Sequence, residues 1–221
     1  MSPVDTKQLL METALELIWN SNYDKVGIAE ICQKAGVTKG AFYHHFASKA
    51  ELFVSASAME WEQKSRELDE ALSPRYTALE QLEKSISLIL EKQIKQCPEG
   101  TSYICGSPIF TAGAQAGCGC NEIQQVAQTM SENAARYFAA LARNLAAEGY
   151  LVDQADAGVL GRLMVQYVQG VVTTGRIVQN IEQLRHDLRE GLYRLLNVKA
   201  EYQHALQPEL ASRPQRTGTD D

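Results

Sequence analysis

Apolar residues recur along this chain at spacings of three and four and never in a sustained alternation of two, which predicts an all-α protein of about nine helices. Leu10, Ala14, Leu17 and Ile18 form the first stripe, opened by Asp5 and Gln8 and closing near Ser21-Asn22. A second, carried by Ile28, Ile31 and Cys32, stops at Ala35-Gly36-Val37, where glycine supplies the positive φ of a tight turn. Thr38 then caps a third helix, on which Phe42 and Phe46, four apart, turn inward onto the second. Ser48-Lys49-Ala50-Glu51 is a capping box, so a long connector helix follows at once and runs to about Leu72.

Further helices are expected from Ser73-Pro74 to Gln96, from Ser107-Pro108, from Asn121 to Glu148-Gly149, and from Asp153 to about Val178. The last is marked by Ile181, Leu184, Leu188, Leu192 and Leu195, after which the pattern fades into a tail with Pro208, Pro214 and Gly218. The organisation is a three-helix head over residues 1–50, a helical effector-binding and dimerisation body over 51–198, and a flexible tail over 199–221.

Charge changes the meaning of the head. The 221 residues carry a net charge of −6, yet between Ile31 and Ala50 stand Lys34, Lys39, Lys49, His44 and His45 with no Asp or Glu. Two helices joined by a three-residue turn form a helix-turn-helix, whose second helix lies in a DNA major groove. Lys39 and Lys49 suit phosphates, Gly40 opens space for a close backbone approach, and Tyr43 offers a ring with a hydroxyl. The acidic balance implies that DNA binding rests on this local patch and on two copies of it. No run of eighteen apolar residues and no signal-peptide pattern occurs, so the expectation is a soluble cytoplasmic protein without a membrane partner. Five cysteines in such a chain point to reduced thiols or a redox role rather than a disulfide scaffold.

Ile31, Ala35-Gly36-Val37-Thr38, Gly40, Tyr43, His45-Phe46, Ser48-Lys49 and Leu52 together resemble the DNA-binding head of the tetracycline-repressor (TetR) family of bacterial regulators. The resemblance covers about the first quarter of the chain. It implies DNA contacts from Thr38, Lys39, Tyr43 and Lys49, with Gly40 and His44 on the same helix. It also implies a homodimer joined through the last two long helices, a palindromic operator with half-sites about 34–36 Å apart or a multiple of that, and an effector site inside the body. The chain departs from the family at Val26-Gly27, where relatives carry Thr and a small hydroxyl residue that contacts phosphate.

For the interface the candidates are Leu160, Met164, Tyr167, Val168 and Val171, with Leu184, Leu188 and Leu192 on the last helix, and Ala157, Gly158 and Gly161 small enough for close approach. The alternative is that this stripe packs within its own subunit. For a small-molecule effector the candidates are Tyr103, Phe110, Tyr137, Gln166 and Tyr167, aromatic and uncharged. Three cysteines, Cys105, Cys118 and Cys120, crowd into sixteen residues. They admit three readings: small buried hydrophobes, a thiol made reactive at a helix N-terminus, or, with Cys97, a metal site whose spacing lacks C-x2-C pairs. The leading reading is a repressor with no cofactor and no metal, released by a small effector or by modification of a cysteine; a metal-responsive repressor is the alternative. An enzyme ranks last, because Gly113 to Gly119 is neither preceded by a strand nor followed by Lys-Ser/Thr, and His186 or His204 would have to meet the cysteines in space.

Overall fold

Most helices begin where a short polar side chain can take an orphan backbone N–H. In the computed structural model, which describes residues 5–95, 103–104, 106–115, 121–153 and 155–203, Asp5 accepts from Lys7 N at 2.9 Å and opens α1 (Thr6–Asn20). α2 (Ile28–Ala35) ends on Gly36 at φ +67°, and Thr38 caps α3 (Lys39–His45) by accepting from Ala41 N at 3.1 Å. Ser48 accepts from Glu51 N at 3.1 Å to open α4 (Lys49–Ala71), and Glu51 Oε2 reaches back to Ala47 N at 2.7 Å. α5 (Ala78–Lys95), α6 (Pro108–Gln115) and α7 (Asn121–Ala147) follow, then α8 (Ala157–Val178) and α9 (Ile181–Leu195).

Two starts fall later than the sequence pattern predicts. Ser73-Pro74 does not open α5: Thr77 and Glu80 form a reciprocal box, Glu80 Oε2 accepting from Thr77 N at 2.8 Å and Thr77 Oγ1 from Glu80 N at 3.3 Å. The buried Gln81 amide donates to the carbonyls of Ser73 and Tyr76 and fixes the intervening residues as a turn. Likewise Asp156 rather than Asp153 caps α8, accepting from Gly158 N and Val159 N; bonds from Val159 and Gly158 hold its carboxyl below the usual range. Lys199 to Gln203 join the body rather than the tail. Lys199 N donates to Tyr150 O at 2.9 Å, Tyr202 packs edge-on against Tyr150, and the Arg189 guanidinium donates to Gln203 O at 3.1 Å.

Two apolar cores form. One lies between α5, α7, α8 and α9 around Leu82, Leu141, Met164, Leu188 and Leu192, all essentially inaccessible. It is clamped by Glu83, which accepts from Arg189 Nε at 2.8 Å and from the buried Tyr193 hydroxyl at 2.5 Å. The other gathers Leu10, Ile18, Ile31, Phe42 and Phe46 from the head with Phe53 of α4, and adds Ile109, Ala112, Ile123, Ala127 and Met130 from α6 and α7. The interface stripe expected on α8 and α9 needs correction. Leu160, Met164, Val168, Leu184, Leu188 and Leu192 are all buried within their own subunit, because α8 packs chiefly on α7, while Tyr167 and Val171 are half-buried. What α8 leaves open is a neighbouring stripe, Val159, Leu163, Ile177 and Val178, which holds four of the six exposed large hydrophobics among the described residues.

α7 and α8 meet most closely at Gly161. A Cβ there would stand 2.3 Å from Ala135 O and 2.8 Å from Ala139 N, backbone atoms that cannot swing aside. Gly161→Val is therefore expected to cost about 1–3 kcal/mol or more of unfolding free energy, read from the urea midpoint, whereas Gly170→Ala, with open space around its Cβ, leaves that midpoint in place or raises it.

Candidate nucleic-acid interface and inner cavity

α3 is short, and its orientation is set by two anchors. Phe42 and Phe46 are both buried, their ring centroids 6.0 Å apart, and they fasten one face of the helix to the head core. The other face carries Thr38, Lys39, Gly40, Tyr43 and His44, every one of them exposed, with Tyr43 at 58%. The five residues expected from the sequence to meet DNA on this helix thus share one surface, and no carboxylate stands on α3. A Cβ at Gly40 would meet only Thr38 Oγ1 at 3.6 Å, so the fold itself does not demand glycine; its contribution is room on the outer face.

Lys49 is placed differently from the role the resemblance assigns it. Its ammonium donates to Tyr23 O at 2.8 Å and Val26 O at 3.1 Å and lies 4.2 Å from the centroid of the Tyr23 ring. It bolts the start of α4 to the loop between α1 and α2, and part of its charge is spent there. That loop is also where the chain departs from the family pattern. Val26 is buried and Gly27 gives α2 no side-chain cap, so the first turn of α2 keeps its backbone N–H groups without one. Lys34, at the other end of α2, pairs with Glu16 of α1 at 2.8 Å.

The body encloses a cavity of about 80 Å³ between α4, α5, α6, α7 and α8. Phe110 and Tyr137, both expected from the sequence, line it; Tyr103 does not, and Gln166 and Tyr167 lie instead on an outer groove between α8 and α9. Tyr167 is used there as a tie, its hydroxyl donating to Asp187 O at 2.5 Å while its ring covers Gly191. The expectation of an uncharged cavity also needs correction. Trp19, Trp61 and Phe138 complete an aromatic wall, but Glu60, Lys64, Glu67 and Lys92 line it too. Glu60 Oε1 accepts from Lys92 Nζ at 2.5 Å, and Glu60 Oε2 is sealed from solvent with no hydrogen-bond donor. Burial, with the nearby charge of Lys92 second, pushes the Lys64 ammonium below its ordinary range against the pull of Glu60 and Glu67. By sequence alone each of these four, Glu60, Lys64 and Glu67 on α4 and Lys92 on α5, is indistinguishable from a charge on a solvated helix face. Their signal was the spacing of Glu60, Lys64 and Glu67, which share a face with Trp61 and the buried Leu68.

Cys97, Cys105, Cys118 and Cys120 lie outside the described residues. Among the described residues no group of three potential ligands could hold a metal, Cys32 is a buried thiol pushed up by desolvation, and no helix is long and apolar enough to cross a membrane.

Against this geometry the likenesses to known proteins are specific. A family model described as bacterial regulatory proteins, tetR family, matches residues 10–56, the stretch that holds α1 to α3 and the start of α4. The chain carries a TetR-family head. Over 47 residues, 21% of the chain, it is 51% identical to the Transposon Tn10 TetC protein of Escherichia coli. Over 49 residues, 22% of the chain, it is 39% identical to the HTH-type transcriptional regulator AcrR of Shigella flexneri. These matches span 24% and 23% of those relatives' own length. The fold extends the likeness to the body. The regulatory protein TetR of Rhodobacter sphaeroides superposes with a TM-score of 0.76 at 23% identity, over 85% of this chain and 97% of that one. The reduced form of NemR from E. coli gives 0.75 at 18%, over 89% and 99%. The TetR-type architecture therefore spans the described chain, with the matched sequence concentrated in the head.

Lys39 and Lys49 should separate cleanly by thermal melting. Lys49→Ala, which frees two carbonyls, is expected to lower stability by about 1–3 kcal/mol in circular dichroism melts, while Lys39→Ala leaves the melting curve unchanged.

Proposed function

We propose that this protein is a TetR-type transcriptional regulator that binds a palindromic operator as a homodimer, acts as a repressor in the cytoplasm, and is released when a small effector enters the inner cavity. The observation that carries the reading is the outer face of α3: five exposed residues free of carboxylates, held rigid by buried Phe42 and Phe46, on a chain of net charge −6. In this reading Tyr43 and His44 reach base edges, Lys39 and Thr38 contact phosphates, and Gly40 lets the helix backbone approach. The uncapped amides at the start of α2 take over the phosphate contact that Val26-Gly27 cannot make with a side chain. Lys49 acts mainly by positioning the loop that presents them.

One short recognition helix gives little affinity alone, so a second copy is needed, and two-fold pairing supplies it. The face that supports pairing is the exposed α8 stripe, Val159, Leu163, Ile177 and Val178, flanked by the exposed Gln166, Gly170 and Thr174. An effector shifts the operator-binding equilibrium only if it binds the released conformation more tightly. The aromatic-walled cavity supports a small molecule as the release signal.

Gel-shift titration on DNA upstream of the chain's own gene checks the reading, with the outcome expected at nanomolar to micromolar protein. Lys39→Ala should weaken binding for all sequences and reduce the slope of log K against log salt by about 1, whereas Tyr43→Ala should also relax discrimination between operator variants. No shifted band on any promoter-proximal fragment would overturn the assignment. Leu163→Asp combined with Ile177→Asp is expected to give a monomer by sedimentation at micromolar concentration and to abolish the shift; a dimer that persists would place the interface elsewhere.

A further inference from the structure

We propose that the inner cavity takes a small arylalkylamine in its protonated form, its N–H group donating to Glu60 Oε2 and its ring stacked among the tryptophans. The inference rests on that cavity being the effector site and names the chemistry of what fills it.

Four observations converge. First, Glu60 Oε2 is a buried carboxylate oxygen that accepts no hydrogen bond, while Oε1 of the same group is taken by Lys92. A buried acceptor without a donor is costly, and an ammonium N–H satisfies it with a charge-assisted bond. Second, the cavity wall is aromatic on several sides, with Trp19, Trp61, Phe110, Tyr137 and Phe138, which suits both a ring and a cation over a ring face. Third, the outer groove between α1, α4 and α5 shares Trp19, Glu60, Glu67, Leu88 and Lys92 with the cavity and so lies against it. That groove carries Glu12, Glu16, Glu60, Glu62, Glu67 and Glu91 against Arg66 and Lys92, with Lys34 paired to Glu16, so its charge balance favours cations over anions. Fourth, Lys64 on the same wall donates to neither Glu60 oxygen. Burial disfavours its charge, which weakens its repulsion of a cationic ligand, and Glu60 Oε2 is left to the ligand N–H.

Size sets the limit. An empty cavity of about 150 Å³ holds benzene, so a space of about 80 Å³ admits an arylalkylamine only when a side chain yields. Lys92 is the one in competition, because the entering ammonium shares its carboxylate. Lys92 also lies 5.8 Å from the centroid of the Trp19 ring, and Trp19 belongs to α1 of the head. Loosening Lys92 therefore bears on α1, which packs on α3.

The chain's two tryptophans, Trp19 and Trp61, both line the cavity, so their fluorescence in the full-length protein reports its occupancy. The probes are 2-phenylethylamine, 2-phenylethanol and phenylacetate, which share a ring and differ in charge. The amine is expected to half-saturate the fluorescence change at a concentration at least tenfold below the alcohol, with phenylacetate weakest. Glu60→Gln should cost the amine tenfold or more and leave the alcohol where it was. An alcohol that matches the amine, a tighter phenylacetate, or an amine indifferent to Glu60→Gln overturns the assignment. Should Glu60→Gln fail to fold by circular dichroism, the three-probe series on the wild-type chain decides alone. Gel-shift in parallel keeps the two readings apart: DNA binding without amine preference sinks only this inference, and amine preference without DNA binding sinks only the regulator.

Discussion

The head of this molecule is too small to close its own core, and much else follows from that constraint. About fifty residues in three short helices bury too little apolar surface to stand comfortably alone. Here the deficit is met by Ile109, Ala112, Ile123, Ala127 and Met130, with α6 packing on α1 and α7 on α4. Gly113 makes the approach possible, since a Cβ at that position would fall 2.2 Å from Ala127 Cβ. The angle at which α3 is presented is therefore a property of α6 and α7 as much as of the helix-turn-helix itself.

That sharing places the inner cavity and the recognition surface on common walls. Met130 belongs to the head core and also lines the cavity, and Trp19 of α1 faces the cavity from the other side. Close-packed interiors transmit a displacement rather than absorbing it, so whatever widens the cavity moves residues on which the head rests. Polar ties run in parallel: Gln93 holds the Gly106 backbone from α5, and Gln179 holds Ile104 from the end of α8. The segment leading into α6 is thus gripped from both sides of the cavity.

Local chemistry was legible in the sequence, and long-range covering was not. The turn at Gly36, the cap at Thr38, the box at Ser48 and Glu51 and the break at Gly149 each depend on residues within four positions, and the structure has them where the pattern predicts. Around Ser73 two possible caps stood within five residues, and the winner was decided by the Gln81 amide, which in turn accepts a bond from Asn144 of α7. The α8 stripe shows the same limit. Period identifies Leu160, Met164 and Val168 as apolar, but nothing in a period says that their cover is the same subunit's α7. The outward stripe reads as mixed because Gln166, Gly170 and Thr174 interrupt it. Glu60, Lys64 and Glu67 were hidden for the converse reason: a charge placed inside a cavity has the same spacing as one placed in water.

α8 joins these arrangements on one rod. Its inward face supplies Val165, Val168 and Val172 to the cavity, its outward face carries Leu163 and Ile177, and near its end Arg176 donates to Ser21 O at the close of α1, 3.2 Å away. Each residue of an α-helix turns the next by about 100°, so these three tasks are locked in phase. Substitutions along α8 can tune any one of them separately. A single inserted or deleted residue in its middle would instead swing Arg176 away from Ser21 and turn everything beyond that point by about 100°, out of register with both the cavity and the outward stripe. The length of this helix is thus a stricter inheritance than most of its sequence.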